Sequence, residues 1–126
     1  MTIKSQFNGA EREFRIDRKN VSILEGVMGR SAFAVLKEFT AGHWRFDDLA
    51  VVLSFGLYGP PADLRRIDAM NKQAGRLGIQ TAGVYPYSPH PDVVKHMQDV
   101  GHGNFADLGA EILSDAIFGA TPNGEA

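Results

Sequence analysis

The sequence predicts an α+β fold, mostly α, with an N-terminal β-hairpin followed by about five to six short amphipathic helices. Two observations carry this expectation. Asn8-Gly9 sits between two short alternating segments, the composition of a two-residue turn in which both positions need φ > 0. After residue 16 the apolar residues recur at helical spacing, in stretches bounded by capping residues and glycines.

With the turn centred on Asn8-Gly9, Phe7 pairs with Ala10, Ser5 with Arg12, and Ile3 with Phe14. Ile3, Phe7, Ala10, Phe14 and Ile16 then share one face, while Lys4, Gln6, Glu11, Glu13 and Arg15 share the other. The hairpin, residues 2–16, thus has one apolar face. An isolated two-stranded hairpin is marginal in water, so helices or another chain must cover it.

Asp17 is placed to cap a first helix whose apolar stripe is Val21, Leu24, Val27 and Met28, ended by Gly29. Ser31 caps a second, with Ala32, Val35, Leu36 and Phe39 inward and Gly42 closing it. A third runs from Phe46 to Tyr58, with Asp47 and Asp48 suited to the positive end of its dipole and Leu49, Val52, Leu53 and Leu57 inward. Gly59-Pro60-Pro61 stops it. A fourth helix, Ala62 to Arg76, places Leu64, Ile67, Met70 and Ala74 on one side, and Arg65, Arg66, Lys72 and Arg76 form its basic cluster. Glycine and proline breaks make residues 77–90 a loop, with one short extended piece at Ile79–Tyr85. Pro91 suits the first turn of a fifth helix ending near Gly101. Asn104 is placed to cap a sixth, burying Leu108, Ile112, Leu113 and Ala116 and ending at Gly119. The expectation is one domain over residues 1–119 and a disordered tail over 120–126.

The totals narrow the function classes. The chain has 126 residues, 44% hydrophobic and 22% charged, ordinary values for a soluble globular domain. It has no cysteine, which excludes disulfides and thiolate ligands. No apolar run approaches the roughly 18 residues of a membrane span, and the N-terminus lacks a signal-like pattern. A cytoplasmic protein with no membrane partner is expected. The net charge of −2 hides an asymmetry, +3 over residues 1–45 and −5 over residues 90–126. The basic excess is too dilute for a nucleic-acid face. The acidic third is either a solvated surface or a meeting place for a basic partner or a second copy.

No catalytic constellation stands out. His90 and His96 are six apart, about 240° around a helix, and do not form a helical zinc pair, so His43, His90, His96 and His102 read as surface histidines. Gly101-His102-Gly103-Asn104 lacks the Lys-Ser/Thr of a phosphate loop. A helix-turn-helix built on helices two and three would present Asp47 and Asp48 to phosphates, which is electrostatically wrong. The expectations are no enzyme, no metal and no cofactor. Trp44, Phe46, Tyr58, Tyr85 and Tyr87 fall at helix junctions or in the long loop, and aromatics there are candidate partner contacts. Trp44 and Phe46 serve equally as a staple between the second and third helices. Tyr85 and Tyr87, flanking Pro86, are the stronger pair.

The hairpin with Asn8-Gly9, the strand Arg12–Ile16 and Val21-x-x-Leu24-Glu25-x-x-Met28-Gly29 resemble the opening of a known family. It comprises small proteins of gene transfer agents and related tailed phages, described as tail tube or tail assembly chaperone proteins. The likeness continues through Phe46-x-Asp48-Leu49 to Gly56-Leu57 and resumes from Leu108-Gly109 to Ile117-Phe118-Gly119. Segment 60–90 departs from it, reading as longer than the family's connection. The resemblance implies a role in tail morphogenesis without catalysis: a chaperone that shields the tape-measure protein and recruits the tail tube protein. Homo-oligomerisation is compatible with it. A structural tube or connector subunit, or an unrelated helical adaptor, is the alternative.

Overall fold

The computed structural model describes residues 2–79 and 84–119. The expected tail over 120–126 and the middle of the expected extended piece at Ile79–Tyr85 lie outside the described residues. Two strands open the chain, β1 (Ile3–Phe7) and β2 (Ala10–Phe14), and six α-helices follow: α1 (Val21–Met28), α2 (Ala32–Ala41), α3 (Phe46–Tyr58), α4 (Ala62–Arg76), α5 (Pro91–Val100) and α6 (Ala106–Phe118). Short 3-10 turns at Arg18–Asn20 and His102–Phe105 lead into α1 and α6.

The hairpin takes the register that the turn dictates, Ile3↔Phe14, Ser5↔Arg12 and Phe7↔Ala10. Asn8 at φ 56° and Gly9 at φ 88° supply the twist that matches the strands. Ile3, Phe7, Phe14 and Ile16 are buried, but Ala10 is exposed. Its place beside the turn takes it past the covering helices. The apolar face is closed from within the chain. Phe7 meets Phe14, Phe105 and the His96 ring edge-on, at centroid distances of 5.7, 5.5 and 4.5 Å. The Asn8 N–H donates to His96 Nε2 at 3.1 Å, pinning the turn to α5. β2 stops at Phe14, short of the expected Ile16, because the Arg15 N–H leaves the ladder for the carbonyl of Gly56 on α3 at 2.9 Å.

Asp17 caps as expected, but the element it starts is the 3-10 turn, through an Oδ1 contact to the Lys19 N–H. The buried stripe of α1 is Ile23, Leu24 and Val27; Val21 and Met28 are only half-buried. Ser31 accepts from the Ala34 N–H to open α2, and Gly29 and Gly42 close α1 and α2 in the left-handed conformation.

α3 is the axis of the molecule. Every residue from Asp48 to Gly56 is buried, so this helix is not amphipathic, and the expected inward residue Leu57 is only half-covered. Helices α1, α5 and α6 and strand β2 all pack on it. A helix apolar all round is what a central position requires. Asp48 is buried in that first turn because Arg30 reaches both it and Glu38, tying α2 and α3 to the connection after α1. A helix-dipole role alone understates it.

α4 differs. It packs mainly on α1 and buries only Leu64 and Asp68. Met70, expected inward, is 66% exposed; Asp68, outside the expected stripe, is buried. Asn104 does not cap α6. It lies inside the 3-10 turn, and its Nδ2 donates to the carbonyls of Val100 and Gly101 at 3.2 Å each, closing the end of α5 instead. Leu108, Ile112, Leu113 and Ala116 of α6 are buried as expected.

Candidate functional site

The five aromatic residues singled out by sequence fall into three separate places. Tyr58 and Tyr87 come together. They line a groove of about 330 Å³ with Pro60, Pro61, His90 and Pro91, where the end of α3 faces the start of α5. Pro60 and Pro61 cannot continue α3, and Pro91 presets the first turn of α5. The same residues that punctuate the helices therefore wall the groove.

Its geometry is held from below. Ser54, fully buried on α3, accepts from the His90 N–H at 3.0 Å. The His90 ring stacks on Tyr58 at 4.2 Å and 27°, and its Nδ1 accepts from the Asp92 N–H at 3.3 Å to cap α5. Tyr87 sets its ring edge-on against Phe55 at 5.1 Å. Burial pushes the Tyr87 hydroxyl above the ordinary tyrosine value, with the Ser54 hydroxyl pulling partly back. Arg12 of β2 reaches Tyr58, its guanidinium 5.9 Å from the ring centroid and 3.5 Å from the hydroxyl. Tyr58 keeps 47% of its surface in solvent. An aromatic and proline-lined groove with a cation at its edge suits an extended peptide segment better than a reaction. Sequence reasoning missed His90 and the three prolines as wall residues. The Gly59-Pro60-Pro61 and His90-Pro91 pairs were visible, but only as helix boundaries.

Trp44 and Phe46 are elsewhere and point inward. Both pack edge-on against His102, at 5.3 and 5.2 Å, and the Trp44 indole lies so close over Gly103 that a Cβ there would sit 2.7 Å from it. They staple the α2–α3 connection to the turn before α6, rather than α2 to α3.

Tyr85 is tied down as well. Its N–H bonds the carbonyl of Gly26 at 2.8 Å, and a Cβ on Gly26 would fall 2.2 Å from its ring. Its hydroxyl donates to Asp68 Oδ1 at 2.8 Å, while Ser22 and Lys72 contact Oδ2 at 2.9 and 3.1 Å. Burial opposes ionisation of Asp68, but hydrogen bonds from Tyr85, Ser22 and Lys72 outweigh it and hold the carboxyl below its ordinary range. Burial in turn raises the Tyr85 pKa, and the Asp68 charge raises it further. Tyr85 is thus a latch between the 84–90 segment, α1 and α4. The sequence offered no signal for this, since Gly26 and Asp68 are unremarkable in a helical pattern.

Other apolar side chains are exposed. Phe33 and Phe118 meet edge-on at 6.2 Å with about half or more of each in solvent, and Leu77, Ile79 and Val84 are 70%, 58% and 60% exposed. Among the described residues no group of three or more His, Cys, Asp or Glu side chains is placed to hold a metal ion. No described helix is long and apolar enough to cross a membrane.

Comparison with known proteins adds the family. No curated protein and no solved structure matches the chain. A family model described as phage tail tube protein, GTA-gp10, matches residues 1–87. The match runs from the hairpin through α4 to Tyr87 and so takes in most of segment 60–90. It stops short of α5 and α6, leaving the likeness at Leu108–Gly119 outside it. The groove straddles that limit, with Tyr58 and Tyr87 inside and His90 and Pro91 beyond. With the match spanning more than two-thirds of the chain, from the Asn8-Gly9 hairpin onward, the protein belongs to the phage tail tube protein, GTA-gp10, family.

Proposed function

We propose that this tail protein is an assembly chaperone: it binds the tape-measure protein through the Tyr58–Tyr87 groove and recruits the tail tube protein. The observation that carries this reading is the state of its sheet. Among the described residues the only sheet is one two-stranded hairpin, and its apolar face is spent inside the chain on Phe105, His96 and α6. A ring-forming tube subunit needs an extended sheet to offer its neighbours, and a hairpin with its greasy face filled is a poor start. A shallow open groove fits transient capture, in which modest affinity per copy is multiplied along a long partner. On this reading the protein works without enzymatic chemistry, in the cytoplasm of the bacterial host.

Co-expression with the long reading frame expected beside the gene tests the proposal. A soluble complex with many copies per long partner supports it, as does loss of that complex in Tyr58→Ala. Purification alone, with the partner aggregated, would sink it. The family's description as a tube protein favours a second reading, a structural subunit retained in the particle. Mass spectrometry of purified particles separates the two. Fixed copy number in mature particles means a structural subunit, and absence means a chaperone.

A further inference from the structure

A second cleft lies on another part of the molecule, where the segment joining the hairpin to α1 crosses the last turn of α6. It encloses about 270 Å³ and is lined by Arg15, Asp17, Arg18 and Asp115, with Gly119 at its end. Asp115 is the unusual member. It is 5% exposed, and its Oδ1 is buried with no hydrogen-bond partner among the described residues. A buried carboxylate oxygen without a donor costs about 1–3 kcal/mol or more, so such an atom calls for an explanation. Neither arginine of the cleft forms an ion pair with it. The Arg18 guanidinium lies instead over Gly119, where a Cβ would sit 2.5 Å from Nη2, at the negative end of the α6 dipole. Asp17 spends its Oδ1 on the Lys19 N–H.

On the α6 side of the cleft the charges have one sign. Asp107 and Glu111, both exposed, precede Asp115 at intervals of four, so the three carboxylates form a row along α6. That helix carries no lysine or arginine. An exposed acidic row that ends in a buried, donor-less carboxylate fits a basic chain segment with one anchoring side chain.

We propose that the Asp115 cleft receives an arginine side chain from a basic segment of a protein partner. The guanidinium donates to Asp115 Oδ1, and Asp107 and Glu111 face the basic residues that follow. Arginine suits the cleft better than lysine. Its charge is spread over a plane and weakly hydrated, so it loses less on entering a semi-enclosed site beside Arg15 and Arg18 than a compact ammonium does. Its in-plane donors also match a carboxylate. This site is distinct from the Tyr58–Tyr87 groove and stands whether or not the protein is a chaperone.

The test is an NMR titration of the full chain with three short acetylated peptides, identical but for one central Arg, Lys or Glu among neutral residues. The expected result is saturable shifts at residues 16–18 and 115–119 with the Arg peptide, and weaker binding of the Lys peptide. Asp115→Asn, checked for folding by circular dichroism, should weaken the Arg peptide about tenfold, the ratio that one charged hydrogen bond supports. Glu11→Gln, on an exposed site of β2, should leave it unchanged. Arg18→Ala should tighten binding by removing a competing cation. Equal affinity for Arg and Lys peptides with no effect of Asp115→Asn would reduce the row to unspecific attraction and overturn the proposal. Absence of binding overturns it as well, as does weaker binding in Arg18→Ala, which would mean that Arg18 helps to hold the peptide instead of competing with it.

Discussion

Helices α3 and α4 are neighbours in sequence, 13 and 15 residues long, joined by Gly59-Pro60-Pro61, and they are held in opposite ways. α3 is buried over Asp48–Gly56 and gripped on all sides by α1, α5, α6 and β2. α4 lies on the outside against α1, anchored by Leu64 and by one polar knot in which Asp68 gathers Tyr85, Ser22 and Lys72. Each helix therefore draws its stability from a different source. Apolar burial is non-directional and shared, so damage in α3 spreads through the whole core. A hydrogen-bonded knot is local, so damage at Asp68 frees one helix and one segment.

Substitutions in the two helices should pull these modes apart. Leu53→Ala removes a fully buried side chain from α3 and should cost about 2–5 kcal/mol. It should appear in urea unfolding as a single shifted transition, with all probes moving together. A local loss confined to α3 amides in hydrogen exchange would contradict the central role of that helix. Gly26→Ala should cost about 1–3 kcal/mol, since its Cβ would meet the Tyr85 ring at 2.2 Å and push the latch off α1. The readout is hydrogen exchange, with faster exchange at Tyr85 while the α3 amides keep their protection.

Asp68→Asn keeps the size but loses the charge that Lys72 and the hydroxyl donors prefer, for an expected cost of about 1–2 kcal/mol. Thermal unfolding measures it, and Tyr85→Phe should cost less when combined with Asp68→Asn than alone. Acid offers the same test without mutation. The Asp68 pKa is lowered in the fold from its ordinary 3.8, so protonation favours the unfolded chain. The contribution is fully present above about pH 3.8 and is lost as pH falls through the lower folded value. Wild type should therefore converge on Asp68→Asn in stability below that range, and a constant gap down to about pH 2 would refute the latch. The smallest effect belongs to Met70→Gln. With 66% of Met70 in solvent, stability should change by less than about 0.5 kcal/mol. A larger loss would restore Met70 to the inward face that helical spacing assigns it.

The contrast also explains what could be read in advance. The hairpin register followed from Asn8-Gly9 because a two-residue turn fixes every pairing behind it. The helix ends followed from Ser31, Gly29, Gly42, Gly59 and Pro91, whose effects act within a turn of the chain. The inward faces of α2 and α6 were legible because each meets the core along one stripe. The face of α4 was not, since its long spacing pattern runs through Met70 while Asp68 finds partners far away in sequence. Asn104 departs from expectation for a related reason. Its side chain has two helix ends within reach, and the 3-10 turn at His102–Phe105 places it nearer the earlier one. Of the candidate site, Tyr58 was legible as an aromatic at a helix junction and Tyr87 as one in the long loop. That His90 and three prolines close a groove around them depends on α5 folding back against the end of α3, which no local pattern encodes.

The order of the elements, the strand register and most helix ends are written in the chain itself, because φ preferences, caps and turns a few residues long make those choices. The family is written there too, in the pattern of apolar residues and glycines over residues 1–87. Three features wait for packing: α3 running through the centre, Tyr85 turning inward to Asp68, and Asp115 sitting in a cleft between distant segments with no donor to its Oδ1 among the described residues. Burial and pairing are properties of neighbours, and for these residues the neighbours come from other parts of the chain, brought into contact only when the helices pack.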